Sequence, residues 1–440
     1  MPQEMKKSEE LLERRKRIVP NGVGMFNTAT VSSAKNATII DVDGDEWIDF
    51  GGGIGVVNSG HCPDSVVQAI KDQADKYIHT SFNVVTYEPY IELCEKLADI
   101  LPHGKATKVM LASTGAEAVE NAIKIARQAT GRQAVLCYTG AFHGRTLMAM
   151  TLTSKIDYKL NCGPFAPEVY RLLFPNKYRY GQGLTEEQFV DIELKKLHES
   201  GKNVVNPTSL AAIIIELVQG EGGFNVAPKA YIEGLREFCD EHGIMLIFDE
   251  VQSGFARTGE WGAMHHYGVT PDISTWAKSL GSGMPISAII GKAEVMDAAA
   301  PSTIGGTYIG NPLSCAAAIA TIDFIKDNNL NQRGKDVGEI VLSRFKSMKD
   351  RFPQIGDVRG LGAMVAMEFV KNGDPRQPDG DLCVEVVQAC AKRGLILLNA
   401  GTYKNNIRVL SPLTIEDELL YRGLDILEEE IEKLVGIPVA

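Results

Sequence analysis

The sequence predicts an α/β chain, with a large domain whose mostly parallel sheet is flanked by helices and a smaller α+β domain after it. Two observations carry this. Short apolar runs without polar alternation, such as Ala134 to Tyr138, Ala211 to Ile215 and Ile244 to Phe248, have the pattern of strands buried on both faces of a sheet. Between them lie stretches with apolar residues at helical spacing, as in Ser113 to Arg127 and residues 228 to 242, so strand and helix alternate as parallel connections require. At 440 residues the chain exceeds one hydrophobic core, and the alternation stops near residue 330. The expected division is an amino-terminal segment over 1–60 that joins the small domain, a large domain over 61–329, and the small domain over 330–440.

Composition narrows the function classes. Hydrophobic content of 44% and 23% charge are ordinary globular values, and a net charge of -11 argues against a nucleic-acid or anionic-membrane surface. The eight cysteines form no Cys-x-x-Cys pair and His265-His266 has no matching ligands, so neither a metal site nor a disulfide framework is expected. Reduced cysteines fit the cytoplasm. The first twenty residues are charged throughout, unlike a signal peptide or anchor, and runs such as Leu210 to Ile215 are too short to span a bilayer.

Taken in order, residues 8 to 18 form a helix stopped by Pro20-Asn21-Gly22. Ala37 to Phe50 gives two strands about Asp43-Gly44, the signature of a type I′ hairpin. The glycines of residues 51 to 60 lack the G-x-G-x-x-G spacing, and the chain has no P-loop, so nucleotide binding has no support. Lys108 to Ala112 is a strand, and Ser113 or Thr114 caps the following helix, leaving the amides of Gly115 and Ala116 free to point at an anion. The strand 134 to 138 delivers Phe142, His143 and Arg145: a ring able to stack on a planar cofactor and a guanidinium able to hold a carboxylate. Residues 155 to 208 read as insertion and surface, apart from a helix near Glu186 to Glu199. The strand 211 to 215 ends at Glu216 and a Gly-rich loop holding Glu221. Two such carboxylates would suit glycosidase chemistry, which uses neither a lysine nor a phosphate seat.

The chemistry concentrates between Met245 and Gly283. Ligands of open α/β sheets bind outside the carboxyl ends of strands, and there stand Asp249, Val251 and Gln252. A second short strand over Asp272 to Ala277 ends in Lys278 and a Gly-rich turn. A lysine partly withdrawn from water has a lowered pKa, and its free amine is a nucleophile suited to Schiff-base chemistry. After it come a strand over Ile286 to Gly291, a polar loop with Thr307, a helix over 313 to 327, and the small domain with a strand over 363 to 370, a helix over 381 to 393, and Arg408.

In this order Tyr87-Glu-Pro-Tyr, Gly115-Ala-Glu-Ala-Val-Glu-Asn-Ala, His143-Gly-Arg-Thr, Gln219-Gly-Glu-Gly-Gly, Asp249-Glu-Val-Gln-Ser-Gly and Gly305-Gly-Thr-Tyr resemble the class III aminotransferases of the pyridoxal-phosphate fold type I, especially those acting on 4-aminobutyrate. The resemblance runs from about residue 9 to residue 432. It implies pyridoxal 5'-phosphate as cofactor, bound covalently by Lys278, with Asp249 on the pyridinium nitrogen, Phe142 and Val251 on the two ring faces, Gln252 on the 3′ oxygen, His143 close by, and Gly115, Ala116 and Thr307 on the phosphate. Thr307 would come from the neighbouring subunit of a homodimer or a dimer of dimers. Ile54, Asn83, Arg145, Glu216, Glu221 and Arg408 would line the substrate pocket, Arg145 gripping the distal carboxylate and Arg408 the α-carboxylate, with Glu221 neutralising Arg408 otherwise.

The reaction so implied is ping-pong transamination of an ω-amino acid, 4-aminobutyrate first, with 2-oxoglutarate, giving succinate semialdehyde and glutamate. Phe142, Asn83 and Ala116 depart from the Tyr, Gln and Ser of some relatives, and Ile54 stands where ornithine-type relatives carry Tyr. Rival expectations are an amino-acid racemase or epimerase, an enzyme for 5-aminovalerate or ornithine-type donors, and a binding protein that has kept the fold.

Overall fold

A computed structural model describes residues 6–436; the first five residues of the amino-terminal segment and the last four of the expected small domain lie outside the described residues. The central sheet has seven strands in the order Thr107–Ala112, Ser287–Lys292, Ile273–Trp276, Met245–Asp249, Leu210–Ile215, Ala134–Tyr138 and Val169–Leu172. Ser287–Lys292 runs antiparallel to both its neighbours, while the remaining pairs are parallel. The unbroken apolar runs follow from burial on both faces. Leu246 and Phe248 enter one core with Trp276 and Phe238, whereas Ile247 enters the other with Val119 and Ile123 of the helix Gly115–Thr130. Each such side chain contributes about 1.5–3 kcal/mol of burial.

Two expectations need correction. The amino-terminal hairpin pairs Ile40 with Glu46, so its loop has five residues, not the two of a type I′ turn. Asp41 organises that loop by accepting from the amides of Asp43 and Asp45, and its only left-handed residue is Gly44. A short side chain able to bond two amides made the longer turn cheaper than the tight one. The stretch 155–208, expected as insertion and surface, supplies the edge strand Val169–Leu172, paired in parallel with Ala134–Tyr138. An edge strand is half-exposed, which hid it from a search for continuous apolar runs.

A second sheet joins Ile355–Leu361, Met364–Phe369, Asn406–Val409 and Leu398–Ala400, with the helices Gly380–Lys392 and Asp417–Val435 nearby in sequence. The amino-terminal strands reach the far end of the chain: Glu46–Asp49 pairs in parallel with Leu395–Ile396. Gly52 has a left-handed φ of 52°, and a Cβ there would lie 2.2 Å from the Leu410 carbonyl oxygen, so only glycine permits that approach. The buried Arg257 donates to Asn58 and to the Ser411 carbonyl, fastening three distant segments together. Among the described residues no helix is long and apolar enough to cross a membrane.

Candidate active site

The carboxyl ends of the central strands converge on one cavity of about 570 Å³. Met245–Asp249 ends in the buried Asp249, whose Oδ2 pairs with His143 Nδ1 at 2.6 Å. Its Oδ1 accepts from the Val251 amide and from Thr275 Oγ1, both at 3.1 Å. His143 is fixed in turn by its own amide, which donates to Thr153 Oγ1 at 3.0 Å. A carboxylate this withdrawn from water must be paired, and the strand alignment of Asp249 with Thr275 supplies part of that pairing.

Lys278 follows the strand Ile273–Trp276 with a left-handed φ of 49°, a conformation that a non-glycine residue holds at a cost. Burial pushes its amine down to about 8, against the opposing pull of Glu221. Glu216, just past Leu210–Ile215, accepts from the amides of Phe142 and Gly220, both at 3.0 Å. Burial pushes its carboxyl up to about 7, with His143 opposing.

Thr107–Ala112 leads into the helix Gly115–Thr130, which opens with a capping box between Thr114 and Glu117. The Glu117 carboxylate occupies the amides of Ser113 and Thr114, while those of Gly115 and Ala116, in the first turn, have no partner within the helix. Gly144 lets the Phe142 loop lie against this terminus: its φ is 129°, and a Cβ there would meet that of Ala116 at 2.7 Å.

An adjoining cavity of about 280 Å³ is the mouth. There Arg408 donates to Glu221 Oε1 and, at 2.9 Å, to the Gly220 carbonyl. Glu221 sits at the tip of the ribbon Val218–Gln219 and Asn225–Val226. Burial raises its carboxyl, yet Arg408 wins and holds it below its ordinary value. Arg145 is exposed at the rim, and Ile54 lines the same space.

Gly115, Ala116, Phe142, His143, Arg145, Glu216, Glu221, Asp249, Val251, Gln252 and Lys278 thus line one cavity, and Ile54 and Arg408 line the space beside it. Asn83 and Thr307 line neither. Both are exposed on loops that meet each other, Asn83 Nδ2 lying 3.0 Å from where a Cβ on Gly305 would stand. Sequence reasoning missed Thr275, Lys155 and Tyr158, whose hydroxyl donates to Glu221 Oε2 at 3.0 Å. A Thr in the strand before Lys278 could have been found by counting faces, whereas Tyr158 lay in the stretch taken as insertion.

The donor set fits a phosphorylated pyridine aldehyde. It offers free amides at a helix start for the phosphate, a paired carboxylate for a ring N–H, and an amine of lowered pKa for the carbonyl. The buried Gln252 Oε1 and His143 Nε2 have no partner in the protein, leaving polar atoms inside the cavity for a ligand to meet.

Comparison with known proteins gives the family. The family model described as aminotransferase class-III matches residues 18–431. A 5-aminovalerate aminotransferase of Pseudomonas putida is 47% identical over 425 residues, covering 96% of this chain and 98% of that protein. A 4-aminobutyrate aminotransferase of Escherichia coli is 45% identical over 426 residues, covering 97% and 98%. Among solved structures, a PLP-bound amine transaminase from an uncultivated Pseudomonas species matches with a TM-score of 0.86 and 28% identity, covering 94% of this chain and 96% of that one.

Proposed function

The chain belongs to the class III aminotransferases, pyridoxal-phosphate-dependent enzymes, and from that premise we propose that it moves the amino group of an ω-amino acid, 4-aminobutyrate foremost and 5-aminovalerate next, to 2-oxoglutarate. The observation that carries this is the Glu221–Arg408 pair standing across the mouth from Arg145. An ω-amino acid has one carboxylate, which Arg145 takes, and Glu221 keeps Arg408 from being left as a bare buried charge. Glutamate and 2-oxoglutarate have two, so the second displaces Glu221 from Arg408. One pocket thereby serves both halves of a ping-pong cycle.

When bound, the cofactor supplies an electron sink for the carbon that loses its proton. The chain's own residues do the rest. Lys278 Nζ would hold the cofactor covalently and, once displaced from it by the substrate's amine, would take the proton from the amine-bearing carbon and return it. Asp249, steadied by His143 and Thr275, would keep a proton on the ring nitrogen. Phe142 and Val251 would flank the ring, Gln252 would reach its 3′ oxygen, and the amides of Gly115 and Ala116 would take the phosphate. Glu216 shapes the substrate pocket, with Ile54 on its wall.

Asn83 and Thr307 belong to this site across a homodimer, or a dimer of dimers, Thr307 of one protomer completing the phosphate seat of its partner. Supporting this, exposed apolar side chains crowd beside them, with Val84 78% and Tyr308 67% accessible. A cytoplasmic enzyme, divided at residues 60 and 329, completes the proposal. The test is a panel of amino donors with 2-oxoglutarate as acceptor, reading glutamate formed. Turnover of 4-aminobutyrate and 5-aminovalerate is expected; interconversion of a single amino-acid enantiomer with no oxo acid present, and no glutamate, would overturn it in favour of an epimerase.

A further inference from the structure

Tyr158, at the end of the short turn Ile156–Tyr158, lines the mouth beside Glu221, Arg145 and Phe142. Its hydroxyl donates to Glu221 Oε2 at 3.0 Å, while Arg408 holds the other oxygen of the same carboxylate. The Arg145 guanidinium lies 5.8 Å from its ring centroid and the Lys155 amine 5.4 Å. Its edge meets Phe142 at 5.1 Å and 71°. Burial, then Glu221, pushes the phenol up to about 12, so it stays a hydrogen-bond donor throughout the neutral range.

The two oxygens of Glu221 are therefore divided between Arg408 and Tyr158. For an α-carboxylate to reach Arg408, Oε1 must let go, and the bond to Tyr158 restrains the carboxylate from turning away. At the other end the same ring seats the cation of Arg145. We infer that Tyr158 is a specificity-determining positioning residue: its hydroxyl latches Glu221 onto Arg408 and so favours ligands with one carboxylate, while its ring fixes the place of Arg145. This rests on the two-carboxylate switch proposed above.

The test is equilibrium binding of two unreactive acids, glutarate with two carboxylates and pentanoate with one, to the holoenzyme by calorimetry. Tyr158→Phe keeps the ring and removes the latch. Glutarate should bind about ten-fold tighter, the scale of one hydrogen bond to a charged group, with pentanoate unchanged. Glu221→Ser should favour glutarate likewise, and adding Tyr158→Phe to it should change nothing more, because the phenol acts through Glu221. Tyr158→Leu should weaken both acids by loosening Arg145. If Tyr158→Phe leaves the glutarate-to-pentanoate ratio unmoved while Glu221→Ser moves it, the latch is wrong and the switch stands. A further shift from Tyr158→Phe in the Glu221→Ser background also overturns the latch. If Glu221→Ser leaves the ratio unmoved, the switch itself falls, and the latch with it.

Discussion

The floor and the mouth of the active-site cavity are built by different means. At the floor Asp249, Thr275 and Lys278 leave neighbouring strands of one sheet, and hydrogen bonds of 2.6 to 3.1 Å settle both oxygens of Asp249. At the mouth Arg145 comes from an exposed loop, Tyr158 from a short turn, Glu221 from a ribbon tip and Arg408 from the second sheet. These groups meet mainly side chain to side chain. A floor fixed by strand register suits chemistry that every substrate shares, while a mouth held by side-chain pairs suits the exchange of one carboxylate for another. Substitutions at the floor should therefore cost all substrates alike, and substitutions at the mouth should redistribute activity among them.

The sharpest break is Lys278→Ala, which should abolish turnover with every donor while leaving the protein folded. Borohydride fixation followed by peptide mass spectrometry should find the cofactor on Lys278 in the parent and on no lysine in the variant. Next in size, Asp249→Asn should retain cofactor and slow both half-reactions equally, by on the order of 3–5 kcal/mol in barrier height; single-turnover rates within a few-fold of the parent would show that the ring nitrogen needs no carboxylate here.

At the mouth the losses should be smaller and unequal. Glu221→Ser should lower kcat/KM for 4-aminobutyrate and spare or improve that for glutamate, a difference of about 1–3 kcal/mol for one charged hydrogen-bonded pair. Arg145→Met should hurt both half-reactions but unequally, 4-aminobutyrate more, since that guanidinium takes its only carboxylate and just the distal one of glutamate. Equal losses in Glu221→Ser would reduce the glutamate to a structural part and erase the distinction between floor and mouth.

The smallest effect is a pH dependence. Burial holds the Lys278 amine near 8, and only the neutral amine attacks the cofactor carbonyl, so the rate of reconstituting stripped enzyme should rise with pH through about 8 and level off above it. A rate still rising past pH 10, where an ordinary lysine titrates, would place this amine in water.

The floor was legible in the sequence because strand burial and strand-end chemistry are both local signals. The apolar run before Asp249 and the Gly-rich turn after Lys278 sit within one short stretch, and the Thr114 cap is read from its own helix start. Of the mouth, residue chemistry offered only Arg145 as a carboxylate grip, and the rest was legible through family resemblance. Arg408 and Glu221 lie 187 residues apart, a separation that no periodicity reports. Tyr158 went unnoticed because polar, Lys-rich text around a short turn looks like any surface loop. The hairpin about Asp43-Gly44 failed for a related reason: the dipeptide is a strong turn signal, but Asp41 two residues earlier competes for the same amides.

The pairing of Glu46–Asp49 with Leu395–Ile396 has a consequence for synthesis on the ribosome. The amino-terminal strand emerges early, yet its parallel neighbour is not made until nearly the end of translation, some tens of seconds later at about 5–20 residues per second. Throughout that interval its edge is open to any other nascent strand. Two of its four residues are Glu46 and Asp49, and like charges along an unpaired edge repel a second copy of the same strand. The last site residue to appear is Arg408, so a translating chain owns its cofactor floor well before it can tell one carboxylate from two.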